Sequence, residues 1–253
     1  MCFPYDAHPP IRPIAGAAVD SEDLVLTSKD GTKFAAFVAR AENPSGAGMV
    51  VLPDVRGLFP FYEELALRFA EEGITSVAFD YFGRTAGVGK RGEDFDWMGN
   101  TRQTKAGQIT EDVGACVDYL RSPDGGSCAR IFTVGFCFGG RNSWLAAASG
   151  HDLAGAIGFY GRPGPGADGS PGPTARAGEL AAPILGLMGG ADDGIPPDDV
   201  EAFDDALDEA GVGHEIVVYP GAPHSFFDRK YEDFAADSED AWSRVLVFLD
   251  RYS

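Results

Sequence analysis

The stretch Gly135-Phe136-Cys137-Phe138-Gly139-Gly140 decides the fold. It follows the apolar run 131–134 and precedes the helix-like segment 141–148, so it predicts a strand, a tight turn and a helix with a cysteine at the turn. The pattern G-x-C-x-G is the thiol form of the G-x-S-x-G nucleophile elbow. Glycines are needed where strand and helix approach, and the helix N-terminus favours a thiolate. The alternative interpretation is a buried core cysteine in a glycine-rich turn.

Short apolar strands alternate with helical patterns on both sides of this turn. A hairpin is predicted at Asp30-Gly31, between the runs 24–27 and 34–39. The further predicted strands are 49–52, 74–79, 131–134, 156–160, 183–188 and 215–219, and the predicted helices are 62–72, 107–121, 141–148, 198–210 and 234–250. Such alternation predicts an α/β fold with a mostly parallel central sheet and right-handed crossovers. We expect one domain over 1–253, with an irregular N-terminal arm over 1–20.

Two long segments interrupt the pattern. Residues 81–106 have no clear periodicity, and a loop this long in a compact domain is usually functional or mobile. Residues 161–179 are rich in Gly and Pro and predict a surface loop that is too short for a large cap domain.

The composition and net charge restrict the classes of partner that the protein is expected to bind. The 253 residues are 44% hydrophobic, and the formal net charge is −19. Such a surface repels nucleic-acid phosphates and anionic lipids, so we expect neither nucleic acid nor membrane as a partner. The start of the chain lacks a signal-peptide pattern, and no apolar run is long enough to span a membrane. The four cysteines have no metal-ligand spacing, so we expect no metal and reduced thiols in the cytoplasm. We also expect a monomer or homodimer.

Five chemically active side chains follow predicted strands: Asp54, Arg84, Cys137, Asp192 and His224. In parallel sheets the site lies beyond the carboxyl ends of the strands, so we expect these residues at one edge. The order Cys137, Asp192, His224 is nucleophile, acid, base, as in α/β-hydrolase triads. A thiol needs a base, which His224 supplies, and an acid orients the imidazole. Asp193 competes with Asp192 for the role of that acid.

The sequence resembles the dienelactone hydrolase (carboxymethylenebutenolidase) family of α/β-hydrolases. The resemblance extends from about residue 24 to the C-terminus. It rests on four segments: Gly135-Phe136-Cys137-Phe138-Gly139-Gly140, Gly158-Phe159-Tyr160-Gly161, Met188-Gly189-Gly190-Ala191-Asp192 and Pro220-Gly221-Ala222-Pro223-His224-Ser225-Phe226. It implies an α/β-hydrolase fold with helices on both faces of the sheet and a Cys–His–Asp hydrolase without a metal or organic cofactor.

The resemblance also implies further site residues. The oxyanion hole would use the N–H groups of Phe138 and Val55. Asp54 stands where the family has a glutamate that controls the thiol, and it is one methylene shorter. Arg84 matches the first arginine for the substrate carboxylate. Asp228 occupies the position of the second, with Arg229 displaced by one.

The thiol also restricts the substrate. Attack gives a thioester, and because a thiolate leaves better than an alkoxide, productive collapse needs a good leaving group on the substrate. This favours enol lactones and activated esters over lipids and peptides. Trp97, Tyr160 and Phe226, with Phe136 and Phe138, could line a small apolar pocket or belong to the core. The alternatives are a promiscuous esterase on neutral activated esters or larger lactones, and a non-catalytic binder.

Overall fold

Eight strands form one sheet in the computed structural model, which describes residues 5–15, 17, 19–227 and 232–253. The strands are β1 (Val19–Thr27), β2 (Lys33–Ala41), β3 (Ala47–Leu52), β4 (Thr75–Phe79), β5 (Arg130–Phe136), β6 (Gly155–Phe159), β7 (Ile184–Gly189) and β8 (His214–Tyr219). Their order across the sheet is β1-β2-β4-β3-β5-β6-β7-β8. The β1–β2 and β2–β4 pairs are antiparallel and the remaining pairs are parallel, which confirms the predicted mostly parallel sheet.

Helices connect the strands. They are α1 (Pro60–Glu71), α2 (Gly83–Ala86), α3 (Trp97–Thr101), α4 (Ala106–Arg121), α5 (Phe138–Ala146), α6 (Pro197–Ala210) and α7 (Ala235–Tyr252), with a 3-10 helix at Thr174–Glu179. In α1, a proline in the first turn favours initiation, and Phe61, Leu65 and Phe69 recur at helical spacing and are buried.

The strand order places helices on both faces. The chain moves in one direction across the sheet from β3 to β4, and in the other from β4 to β5. Right-handed crossovers in opposite directions put α1 and α4 on opposite faces. The helix α7 packs against α1, where the ring centroids of Phe69 and Trp242 lie 4.8 Å apart. The helix α5 packs beside α4 on the other face.

Sequence patterns missed several boundaries. The strand β1 begins at Val19, within the predicted irregular arm, and extends the hairpin to a Val19–Ala41 pair. Its first half is polar and exposed because it lies at the sheet edge, so backbone pairing with β2, not an apolar pattern, defines it. The segment 81–106 contains α2 and α3, and the loop 161–179 ends in the 3-10 helix.

No helix within the described ranges has both the length and the apolar character needed to cross a bilayer.

The turn after β5 is built on backbone contacts that leave no room for side chains. A Cβ atom on Gly135 would overlap the carbonyl of Gly139, and one on Gly139 would overlap the carbonyls of Leu52 and Pro53. The start of α5 therefore sits directly against the end of β3.

We expect Gly135→Ala to lower the free energy of unfolding by about 3 kcal/mol or more, because the overlap is with backbone that cannot yield without moving α5. Urea titration measures the change. Gly107→Ala in α4 is the matched control, since within the described structure a Cβ there meets no atom within 4 Å, and it should stabilise by up to about 1 kcal/mol. A Gly135→Ala protein as stable as the wild type would contradict the close approach.

Candidate active site

Cys137 occupies a strained turn at the carboxyl end of β5. Its φ of 55° and ψ of −111° lie outside the regions that L-residues favour. Its N–H donates to the carbonyl of Phe159 over 3.0 Å, and it directly precedes α5. The thiol is partly exposed. The strained backbone of Cys137 holds this side chain at the sheet edge, as expected for a functional residue.

His224 is paired with one of the two candidate acids. Its Nδ1 lies 2.6 Å from Oδ2 of Asp192, whose side chain is 1% exposed, and the N–H of Gly194 donates to the other Asp192 oxygen over 2.8 Å. Asp193 is exposed to solvent. The pairing orients the imidazole so that Nε2 faces away from the carboxylate.

Aromatic contacts bring the His224 loop across the sheet toward Cys137. The ring of Tyr160, at the end of β6, lies 5.0 Å from the imidazole. Phe227 packs on Phe159 and Phe136 at 4.6 and 5.9 Å, and Phe136 is the residue before Cys137. The loop after β8 therefore covers the ends of β6 and β5, which places the imidazole and the thiol at the same edge.

In the loop after β3, the backbone N–H of Val55 differs from its neighbours in its hydrogen bonding. The N–H groups on either side of Val55 have acceptors. Asp54 donates to the Tyr62 hydroxyl, Arg56 to the Asp54 carboxylate, Gly57 to the Asp54 carbonyl and Leu58 to the Asp80 carboxylate. Within the described part of the chain, the Val55 N–H has no acceptor. This N–H is available to a bound oxyanion.

Phe138 supplies a second N–H of this kind. It is the first residue of α5, where backbone N–H groups lack intrahelical acceptors. Because Gly139 touches the carbonyls of Leu52 and Pro53, the start of α5 and the loop holding Val55 are adjacent. The two predicted oxyanion donors therefore lie on neighbouring backbone segments, with Cys137 between Phe138 and β5.

The carboxylate of Asp54 contacts Arg56. It is fully buried, and its Oδ1 and Oδ2 accept from the Arg56 guanidinium at 2.8 to 3.2 Å, while Oδ1 also accepts from the Arg56 N–H. The predicted thiol-control residue thus forms a charge pair within its own loop. These contacts fix the shape of the loop, and the role of Asp54 in controlling the thiol stays a prediction.

Tyr81 closes the floor of the site. Its hydroxyl donates to the carbonyl of Pro53 over 2.6 Å, and its ring packs edge-on against Phe138 at 5.4 Å. Burial raises the pKa of its phenol well above the ordinary value, and the nearby carboxylates of Asp54 and Asp80 add to the effect. The phenol therefore stays protonated and keeps its hydrogen bond to the loop.

Arg84, which is predicted to bind a substrate carboxylate, is held by side chains of the chain itself. Its guanidinium contacts Asp112 at 2.7 Å, Asp30 at 2.8 Å and the Ser28 hydroxyl at 2.9 Å. These partners tie α2 to the β1–β2 hairpin and to α4. Two carboxylates of the chain itself pair with the guanidinium, and its role toward a substrate carboxylate stays a prediction. Arg229 lies outside the described residues.

The predicted aromatic residues divide into core and surface. Phe226 is fully buried between Tyr160 and Tyr219, at ring distances of 5.7 and 5.0 Å, so it supports the His224 loop from within the core. Tyr160 is also buried, and its contact with the site is with the imidazole. Trp97 on α3 is partly exposed. Of these three, Trp97 alone has the exposure needed to meet a substrate directly.

The segment 81–106 packs against the loop after β3. The Thr101 hydroxyl lies 2.6 Å from the Trp97 carbonyl and 3.3 Å from the Val55 carbonyl. Arg91 reaches the end of β4, where it pairs with Asp80. Sequence reasoning noted the length of this segment but missed these contacts, because ion pairs and hydrogen bonds between distant segments leave no periodic signal.

The described residues contain no group of three or more His, Cys, Asp or Glu side chains arranged to hold a metal ion.

Comparison with known proteins gives a consistent result. The family model described as "Dienelactone hydrolase family" matches residues 34–253. The chain is 30% identical over 262 aligned positions to the "Putative carboxymethylenebutenolidase" of Escherichia coli (strain K12), covering 96% of this chain and 94% of that protein.

Solved structures agree with the sequence comparison. A "Putative Dienelactone Hydrolase" from Klebsiella pneumoniae superposes with a TM-score of 0.81 at 29% identity, covering 93% of this chain and all of that one. A dienelactone hydrolase-like promiscuous phosphotriesterase from metagenomic libraries superposes with a TM-score of 0.77 at 21% identity, covering 94% of this chain and 100% of that one. At 21% identity, the similarity to the phosphotriesterase structure shows a shared fold and nothing further.

We expect iodoacetamide to label Cys137 in the native protein at least about tenfold faster than Cys116 or Cys128. Burial raises the pKa of both other thiols, that of Cys116 well above its ordinary value, whereas Cys137 is partly exposed. Peptide mapping by mass spectrometry measures the rates. In denaturant the three should react at similar rates. Equal labelling of Cys116 or Cys128 in the native protein would contradict the assignment of Cys137 as the most accessible of the three thiols that the structure describes.

Proposed function

Because the chain belongs to the dienelactone hydrolase family, we propose that it is a cysteine-dependent hydrolase that opens a small enol lactone through a thioester acyl-enzyme. Family membership supports hydrolase activity in general. One observation carries the specific proposal: a thiol in a strained elbow shares a sheet edge with an imidazole held 2.6 Å from a buried carboxylate.

The first half of the reaction is attack on the lactone carbonyl. His224 Nε2 takes the proton of the Cys137 thiol, and the sulfur forms a bond to the carbonyl carbon. The carbonyl oxygen becomes an oxyanion that accepts from the N–H groups of Val55 and Phe138. The buried carboxylate of Asp192 stabilises the imidazolium.

The second half releases the acid. The tetrahedral intermediate collapses by breaking the bond from carbon to ring oxygen, and the imidazolium returns its proton to that oxygen. The opened lactone remains attached as a thioester. Water, deprotonated by His224, then attacks the thioester carbonyl and expels the Cys137 thiolate. The product is the free carboxylic acid, and the thiolate regains its proton from His224.

The leaving group decides which substrates suit this site. A thiolate is expelled more easily than an alkoxide, so the first intermediate of a simple alkyl ester returns to substrate. An enol lactone expels a stabilised, enolate-like oxygen and moves forward. A free thiol nucleophile also requires a reducing compartment, so we propose that the protein acts in the cytoplasm on a small-molecule lactone or ester.

A second candidate is an esterase for neutral activated esters or larger lactones. The ion pairs of Arg84 with Asp112 and Asp30 favour it, because an anionic substrate would have to compete with these two carboxylates for the guanidinium. Comparing kcat/KM for a dienelactone with that for a neutral nitrophenyl ester separates the two candidates. Preference for the anionic lactone supports the first, and preference for the neutral ester supports the second.

We expect Cys137→Ala to lower kcat for the preferred substrate by at least about 10³-fold, since no nucleophile remains to form the thioester. Steady-state hydrolysis measures the loss. Cys128→Ala is the control, because that thiol is buried beside Gly48 and Gly126 and should leave turnover unchanged. Equal activity of Cys137→Ala and wild type would overturn the mechanism. Absence of turnover in the wild type on both substrates would favour a non-catalytic binder.

We expect Asp192→Asn to lower kcat by about 10²- to 10⁴-fold, because the amide neither stabilises the imidazolium nor enforces the tautomer that leaves Nε2 free. The neighbouring Asp193→Asn makes the same chemical change on an exposed side chain and should keep kcat near that of the wild type. Similar losses in the two variants would contradict the assignment of Asp192 as the acid.

A further inference from the structure

A buried ion pair lies behind the loop after β3. The side chain of Asp80 is fully buried at the end of β4, and its oxygens receive Arg91 Nε at 3.0 Å and Nη2 at 2.7 Å. The guanidinium, 8% exposed, is flanked by the rings of Phe95 and Phe82 at 4.8 and 5.9 Å. Bidentate geometry and seclusion from water make this a rigid contact.

Leu58 is held at both of its backbone groups, one by the Asp80 carboxylate and the other by the backbone of Arg91. The Leu58 N–H lies 3.3 Å from Asp80 Oδ1, and the Arg91 N–H donates to the Leu58 carbonyl over 2.8 Å. Gly57, with a φ of 81°, passes so close that a Cβ atom there would overlap Asp80 Oδ1. The carboxyl end of the loop therefore rests directly on the ion pair.

The amino end of the loop is fixed independently. The Asp54 N–H donates to the Tyr62 hydroxyl over 2.9 Å, and Tyr81 donates to the Pro53 carbonyl over 2.6 Å. Val55 lies between the two fixed ends, three residues before Leu58. Its N–H direction is consequently set by anchors on both sides, one of which is the pair.

We propose that Asp80 and Arg91 are positioning residues of the oxyanion hole, which hold the Val55 N–H at the place where the oxyanion forms. The inference rests on the proposed function, since it assumes that Val55 is an oxyanion donor. Neither side chain touches the substrate. Their effect passes through Leu58 and Gly57, so it concerns the transition state more than substrate binding.

A second buried pair provides a matched control. Asp112 is 1% exposed and lies 2.7 Å from Arg84, which also follows β4. Within the described ranges, no hydrogen bond or ion pair joins its side chain to residues 53–58. Asp80→Asn and Asp112→Asn make the same chemical change in similar surroundings, and only the first weakens an anchor of the loop.

The experiment compares these two variants with the wild type, using the substrate that the wild type prefers. We expect Asp80→Asn to lower kcat about 10- to 100-fold with KM within about threefold, because a misplaced donor costs transition-state stabilisation. A trifluoromethyl ketone, which adds to the thiol and places an oxyanion in the hole, should bind more weakly by a similar factor. The rate of Cys137 alkylation should stay unchanged. Asp112→Asn should keep the wild-type kcat.

The outcomes separate the positioning role from a structural one and from the proposed function. A folded Asp80→Asn protein with wild-type kcat and ketone affinity overturns the inference and leaves the proposed function intact. Equal losses in Asp80→Asn and Asp112→Asn also overturn it. If Asp80→Asn does not fold, Arg91→Lys, which keeps the charge and loses the bidentate fork, takes its place, and failure of both to fold assigns the pair a structural role only. A wild type without cysteine-dependent turnover refutes the proposed function itself.

Discussion

The contact between the turn after β5 and the end of β3 is the constraint on which the site depends. Gly135 and Gly139 let the backbone of the turn touch the carbonyls of Leu52 and Pro53. Any side chain at these positions would push α5 away from the sheet. Because the two backbones touch, the residue that follows Cys137 and the loop that holds Val55 lie on adjacent backbone segments. The proposed oxyanion hole therefore depends on backbone packing.

Three residues beyond the carboxyl ends of strands have strained backbone conformations. Cys137, Tyr160 and Ser225 have positive φ values of 55°, 36° and 61°, and they follow β5, β6 and β8. Such conformations persist only where the surrounding packing determines them. Here the stacked rings of Phe136, Phe159 and Phe227 supply that packing beneath the site. A rigid aromatic layer therefore supports the residues that must be held in strained positions.

Charge is used mainly for internal positioning in this acidic protein. Asp54 pairs with Arg56, Asp80 with Arg91, and Asp112 with Arg84, and each of these carboxylates is at most 1% exposed. The first two pairs shape the loop that presents Val55, and the third ties α2 to α4. These three arginines are consequently paired with carboxylates of the chain itself. An anionic ligand would therefore have to compete with these carboxylates for the arginines.

The sequence by itself determined the strand–turn–helix motif at Cys137, the parallel sheet and the edge at which the active side chains lie, because these follow from local spacing and from the rules of chain connection. It also narrowed the acid to Asp192 or Asp193. Only the tertiary structure decided which of the two meets His224, that Phe226 is core, and which partners Asp54, Arg84 and Arg91 take. Arg84 meets Asp30 and Asp112 across 54 and 28 residues of chain. Such pairings depend on how helices and loops pack in three dimensions, and similar arginines at similar spacing would look alike in the sequence whichever carboxylate they bind.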